Sequence, residues 1–206
     1  ARRSVNHSRS AFLGQQIDEV ADLPMASPRI AFRGISRSTD SRTAIFCLLP
    51  RDRVLVHQAP YLFRRSGTEV DEAYLLGIVS SVPFDWYTRR WVETGLAFYL
   101  LRRIPVPRPD QTHLVRGRVA ELAGRLAAVD ERFVDWAELV GVPVASLIDP
   151  DERDSAIAEL DALASLLYGL DWDDVVHVFE TFHRGWDYTE RLAAVQVHFD
   201  RWESEA

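Results

Sequence analysis

The sequence predicts an α+β chain in which a small mixed or antiparallel sheet with helices fills the N-terminal half and an acidic all-helical stretch fills the C-terminal half. Three observations predict it. Between Pro28 and Val56, short apolar runs are separated by polar turns, the pattern of strands. From Asp110 onward, apolar residues recur at intervals of three and four, the period of a helix that packs along another helix. Charge divides near the same place: residues 1–118 hold 18 arginines against 11 acidic residues, a balance of +7, and residues 119–206 hold 6 against 20, a balance of −14.

Residues 1–27 are polar and poorly periodic, and read as a lead-in segment, poorly ordered or the remnant of a larger chain. Residues 28–109 form the expected α+β region. Ile30 and Phe32 alternate with Arg29, Ala31 and Arg33; Thr43 to Leu49 is an apolar run; Val54-Leu55-Val56 follows the charged turn Arg51-Asp52-Arg53, giving three short strands. Thr68 stands at the N-cap of a helix from Glu69 whose Val70, Tyr74, Leu75 and Ile78 share a face. A second helix is expected from Pro83 to Glu93, with Phe84, Tyr87 and Trp91 on its buried stripe and Arg89 and Arg90 outside. Leu96, Phe98 and Leu100 alternating with Ala97, Tyr99 and Leu101 predict another strand. It is stopped by Pro105, Pro107 and Pro109, which can continue neither a ladder nor a helix. That proline segment sets the boundary.

Residues 110–206 form the helical region. Asp110 is expected to cap a helix with Val115, Val119, Leu122, Leu126 and Val129 along its seam. Asp149-Pro150-Asp151-Glu152 combines an N-cap, a first-position proline and an acid at the third position, ahead of the stripe Ile157, Leu160, Ala164, Leu167. Tyr168-Gly169-Leu170 ends that helix, Asp171 starts the next, and Leu192, Val195, Phe199 and Trp202 mark a final amphipathic helix.

A chain of 206 residues, 47% hydrophobic and 27% charged, can build a sizeable core, which excludes a disordered tail and a disulfide-stapled miniprotein. The single cysteine, Cys47, lies in an apolar run and is expected to fill core space, which suits a reducing cytoplasm. No apolar stretch approaches the ~18–20 residues of a membrane span and the N-terminus leads into polar sequence, so a cytoplasmic protein with no membrane partner is expected.

Enzymatic constellations are thin. Glu180 and His183 have the spacing of a di-iron half-site, but such a centre needs a second copy and two further glutamates. Asp171-Trp172-Asp173-Asp174 lacks the glycine and terminal glutamate of a calcium loop and suits a helix start. There is no glycine-rich phosphate loop and no glycine-flanked nucleophilic serine, so neither a catalytic residue nor a metal ligand is expected.

The arginine-rich half reads differently. Arg29, Arg33, Arg37 and Arg42 interleave with Ser36, Ser38, Thr39, Ser41 and Thr43, a donor set suited to phosphate oxygens and guanine edges. Arg51, Arg53, Arg64, Arg65, Arg89 and Arg90 extend it. The competing account of the same residues is a solvated turn held by an Arg–Asp pair.

Taken in order, Pro28-Arg29-Ile30-Ala31-Phe32-Arg33, Arg37-Ser38-Thr39-Asp40-Ser41-Arg42-Thr43, Ala59-Pro60-Tyr61-Leu62, Tyr74 through Ser81, Phe84-Asp85-Trp86-Tyr87 and Ile104-Pro105-Val106-Pro107 resemble the C-terminal TaqI-like specificity domain of adenine-N6 DNA methyltransferases. The likeness is to large fused type II restriction-modification and phage-defence methylases. Leu160 through Leu170, Asp173-Asp174-Val175 and Phe179-Glu180-Thr181-Phe182 also resemble how such chains end. The resemblance implies a target-recognition region that contacts double-stranded DNA and works beside a catalytic methyltransferase domain that binds S-adenosylmethionine. The family's adenine-holding motif, Asn or Asp before two prolines and an aromatic residue, is absent, since none of the ten prolines adjoins another. The glycine-rich cofactor loop is missing too. The chain therefore reads as the C-terminal part of a larger methylase that recognises DNA without modifying it and carries no cofactor of its own. The alternatives are a helical protein-interaction module that docks a partner subunit, and a stand-alone enzyme with an unrecognised site.

Overall fold

The computed structural model describes residues 23–205, so residues 1–22 of the expected lead-in lie outside the described residues. Within that span the chain is α+β, with a two-stranded antiparallel sheet and eight α-helices. Strand β1 (Arg29–Phe32) pairs with β2 (Phe46–Leu49) in the register Arg29 to Leu49, Ile30 to Leu48, Ala31 to Cys47 and Phe32 to Phe46. All four β1 residues are buried, because residues 58–62 run along the other edge: Phe32 N–H donates to Pro60 O (2.9 Å) and Leu62 N–H to Ile30 O (2.7 Å). This flank replaces the third strand expected at Val54–Val56, where Val54 and Val56 are instead 79% and 67% exposed. Pro60 has no N–H to donate, so the pairing shrinks to a single bridge between Ala31 and Tyr61. Cys47 is exposed on β2, contrary to the core position expected for it.

Helix α1 (Glu69–Ser80) begins in a capping box: Thr68 Oγ1 accepts from Asp71 N–H, and Asp71 accepts from Thr68 N–H. Helix α2 (Val82–Thr88) follows, with Ser81 as its N-cap, and ends five residues before the expected Glu93. Phe84 is buried, but Tyr87 and Trp91 are exposed, so only part of the expected stripe enters the core. The strand expected at residues 96–101 is a single helical turn, α3 (Phe98–Leu101), because Leu100 and Leu101 N–H both return to Ala97 O. An apolar run without polar alternation fits either form, and only its surroundings decide.

Helix α4 (Leu114–Ala127) starts after a turn in which His113 N–H meets Asp110 O, so Asp110 lies outside the helix and Val129 lies beyond its end. Helix α5 (Val134–Val140) ends at Gly141, whose φ of 82° suits glycine. In α6 (Pro150–Leu167), Asp149 accepts from Asp151 and Glu152 N–H, as its sequence predicts. A capping box between Asp171 and Asp174 opens α7 (Trp172–Glu180), and α8 (Thr189–Glu203) closes the described chain.

The largest core cluster joins Ile30, Leu48, Ile78 and Phe84 to Val119, Leu122, Leu163 and Trp202, so packing runs across the proline segment at which the sequence sets its boundary. Tyr74 and Tyr168 donate to Pro107 O and Pro105 O, each at 2.9 Å. Burial pushes the Tyr74 hydroxyl up to about 12, which keeps it a donor. No helix among the described residues is long and apolar enough to cross a membrane.

Candidate nucleic-acid interface

The turn between β1 and β2 is closed from inside. Ser36 Oγ donates to Thr43 O (2.6 Å) and Thr43 Oγ1 to Arg37 O (2.8 Å). Asp85 of α2, fully buried, accepts from Arg42 Nε (2.7 Å), Thr43 N–H (3.2 Å) and Ala44 N–H (3.0 Å). Arg89 lies 3.6 Å from the same carboxylate, donates to Phe182 O, and sits 3.8 Å from the centre of the Phe182 ring. Burial lowers the Arg89 pKa, with Asp85 opposing the shift.

This network corrects part of the sequence reading. Arg89, expected outside, is buried, and Arg42 spends its guanidinium on Asp85 and on Ser80 O (2.7 Å). Arg29 is 3% exposed, donates to Arg53 O and stacks on Tyr61. Thr43 is buried as well, since its hydroxyl closes the turn. A buried guanidinium or hydroxyl cannot reach a phosphate outside, so Arg29, Arg89 and Thr43 belong to the scaffold in this conformation. Three further arginines are paired: the exposed Arg33 with Asp40 and Arg51 with Asp135 (3.1 Å), and the half-buried Arg64 with Glu69. Arg37, Ser38 and Thr39 are exposed at the tip of the turn. Arg53 is exposed, and Arg90 lies over the Trp86 ring at 4.1 Å.

Unneutralised charge gathers elsewhere. A groove of about 1550 Å³ opens between residues 55–65 and the stretch from Leu96 to Arg108, with Gly34 and Ile35 at one wall. Leu62, Val79, Phe84, Leu96 and Leu101 contribute its apolar lining. Arg65, Arg102, Arg103 and Arg108 are exposed around it, and none has a carboxylate oxygen within 4 Å among the described residues. Among the described residues, no aspartate or glutamate lines it. The wall depends on a close approach: Leu96 N–H donates to Gly34 O (2.8 Å), and a Cβ on Gly95 would lie 2.9 Å from that same oxygen.

Of the arginines singled out in the sequence, Arg65 alone lines this groove; Arg102, Arg103 and Arg108 were missed. The available signal is their position around Ile104-Pro105-Val106-Pro107, a segment that marks the expected boundary and also carries part of the resemblance to the specificity domain. Comparison of the chain with models of protein families, with curated proteins and with solved structures returns no match.

Proposed function

We propose that this chain is the DNA-binding specificity portion of an adenine-N6 DNA methyltransferase of a restriction-modification or phage-defence system, acting in the cytoplasm beside a catalytic domain outside this sequence. The observation that carries the reading is the set of four arginines that, among the described residues, have no carboxylate partner and surround a groove to which no described acid contributes. Free guanidinium groups that track one surface are what phosphate binding requires, and the exposed Arg37, Ser38 and Thr39 follow Ile35 of the groove wall in sequence. The acidic helices α6 to α8 repel phosphate and so confine DNA to the arginine-bearing side.

S-adenosylmethionine belongs to the catalytic domain in this reading. Among the described residues the groove offers one glycine, Gly34, and no carboxylate to accept from the cofactor's ammonium and ribose hydroxyls, so that lining does not fit the molecule. Fluorescence anisotropy with a labelled DNA duplex tests the proposal. Binding at ~50 mM salt should weaken steeply by ~200 mM, as counterion release requires. A folded sample that binds neither duplex nor single-stranded DNA at the lower salt overturns it.

A further inference from the structure

We infer that the groove takes DNA as a single, unstacked strand, with bases against its apolar and aromatic lining and phosphates on Arg65, Arg102, Arg103 and Arg108. The inference rests on the DNA-binding part of the reading above and departs from it in one respect: the occupant of this groove is a strand parted from its complement, not the intact duplex. A paired duplex turns sugars and phosphates outward and hides its base faces, so it would satisfy the arginines and leave the lining uncovered. That lining is substantial. Ile35, Val56 and Phe98 are 62%, 67% and 42% exposed, and His57 and Phe63 add ring surface, while Arg29 covers one face of Tyr61.

A single strand presents both surfaces at once. Sequence-tolerant strand binders combine a positively charged groove with aromatic rings on which successive bases stack. The groove's volume, about 1550 Å³, exceeds the roughly 300–1,000 Å³ of small-molecule pockets, which suits a chain segment rather than a metabolite. An acidic peptide with apolar side chains is the rival occupant, since it too would meet cation and floor. DNA is favoured by the ring content of the lining, because planar bases gain from stacking in a way aliphatic side chains do not.

The test uses the whole 206-residue chain. Fluorescein-labelled oligothymidylate of about 12 nucleotides, within the usual site sizes for such grooves, is compared by anisotropy with a duplex of equal length. The single strand should bind about tenfold or more tightly. Phe98→Leu keeps an apolar contact for the Phe32 ring, 5.4 Å away between centroids, but removes the stacking face. It should weaken single-strand binding about fivefold or more and leave duplex binding nearly unchanged. Arg102→Gln with Arg103→Gln, both at exposed positions, should weaken both ligands and provides a second reading should Phe98→Leu fold poorly. Duplex binding equal to or tighter than single-strand binding overturns the inference and leaves the DNA reading standing. Absence of binding to either overturns both. Displacement of the oligonucleotide by a labelled peptide of alternating glutamate and leucine, at a lower concentration than oligothymidylate requires, assigns the groove to a protein and overturns the inference.

Discussion

Arg42 Nε donates to Asp85 Oδ2 across 2.7 Å and ties the turn after β1 to helix α2, with Asp85 completely buried. The carboxylate also receives two backbone N–H groups and faces Arg89, so it balances two cations and holds the turn. Removing one partner of a buried ion pair is costly because the other charge stays behind. Asp85→Ala should therefore lower unfolding free energy by about 3–5 kcal/mol in urea titrations. Arg42→Ala should cost about 1.5–3 kcal/mol, the range for hydrogen bonds to charged groups. Arg37→Ala should stay within about 0.5 kcal/mol, because the Arg37 side chain is exposed. The sequence treats Arg37 and Arg42 alike; their melts should separate them.

Gly77 and Gly117 sit in neighbouring helices and should respond to alanine with opposite signs. A Cβ on Gly77 would lie 2.7 Å from Val119 Cγ1 and 3.1 Å from Ala123 Cβ, where α1 and α4 touch. Alanine gains roughly 1 kcal/mol of helix propensity over glycine, but overpacking costs about 1–3 kcal/mol, so Gly77→Ala should be destabilising on balance. A Cβ on Gly117 meets nothing within 4 Å, so Gly117→Ala should raise stability by about 0.5–1 kcal/mol. Thermal melts of the two variants check the contrast.

What the sequence made legible is the chemistry of near neighbours. Thr68, Asp149 and Asp171 cap helices through backbone groups two or three residues away, so the sequence holds both donor and acceptor. The stripe Leu192, Val195, Phe199, Trp202 is likewise local: the last three are buried and Leu192 is half-buried. The Asp85 clasp joins residues 42 positions apart and leaves no periodic trace, so the sequence leaves open whether the turn arginines are free or held by an acid. The same holds for the groove. Residues 55–65 bring Arg65 to Arg102, Arg103 and Arg108 only once β1 takes residues 58–62 as its flank. The contacts of the proline segment are long-range too. Proline does end regular structure, but Tyr74 and Tyr168 fix Pro107 and Pro105 within a shared fold.

Glu72 supplies a prediction in pH. Its carboxylate is buried in α1 and accepts from Trp136 Nε1–H at 3.0 Å. Burial raises its pKa above the ordinary value, and the opposing Trp136 hydrogen bond and Arg64 charge do not reverse the shift. A raised folded-state pKa contributes stability that is full below the unfolded value and lost as pH rises through the folded one. Glu72→Gln keeps an acceptor for Trp136 without the charge. It should melt above the parent chain at pH 7, and the difference should close below about pH 4, where the glutamate is neutral in both states. A variant that melts lower at pH 7 would show that Arg64 outweighs burial at this site.

The last prediction separates charge counted along the sequence from charge left free by the fold. Each phosphate neutralised by a cation contributes about −0.9 to the slope of log affinity against log salt, and losing one such contact flattens it by about one. Arg102 and Arg103 have no carboxylate partner among the described residues, so Arg102→Gln and Arg103→Gln should each flatten the slope by about one, and the double variant by about two. Arg33 is equally cationic on paper, but its guanidinium is held by Asp40. Removing it also releases Asp40 as a nearby anion, so Arg33→Gln could weaken binding through repulsion. The slope distinguishes that repulsion from a lost contact, because a guanidinium already held by a carboxylate displaces no phosphate counterion. Arg33→Gln should therefore leave the slope near that of the parent chain. The measurement is a salt series by anisotropy on one DNA probe for the parent and the three groups of variants. If Arg33→Gln flattens the slope as much as Arg102→Gln does, the ion pair with Asp40 opens on binding, and the turn at residues 36–42 joins the groove as a DNA contact.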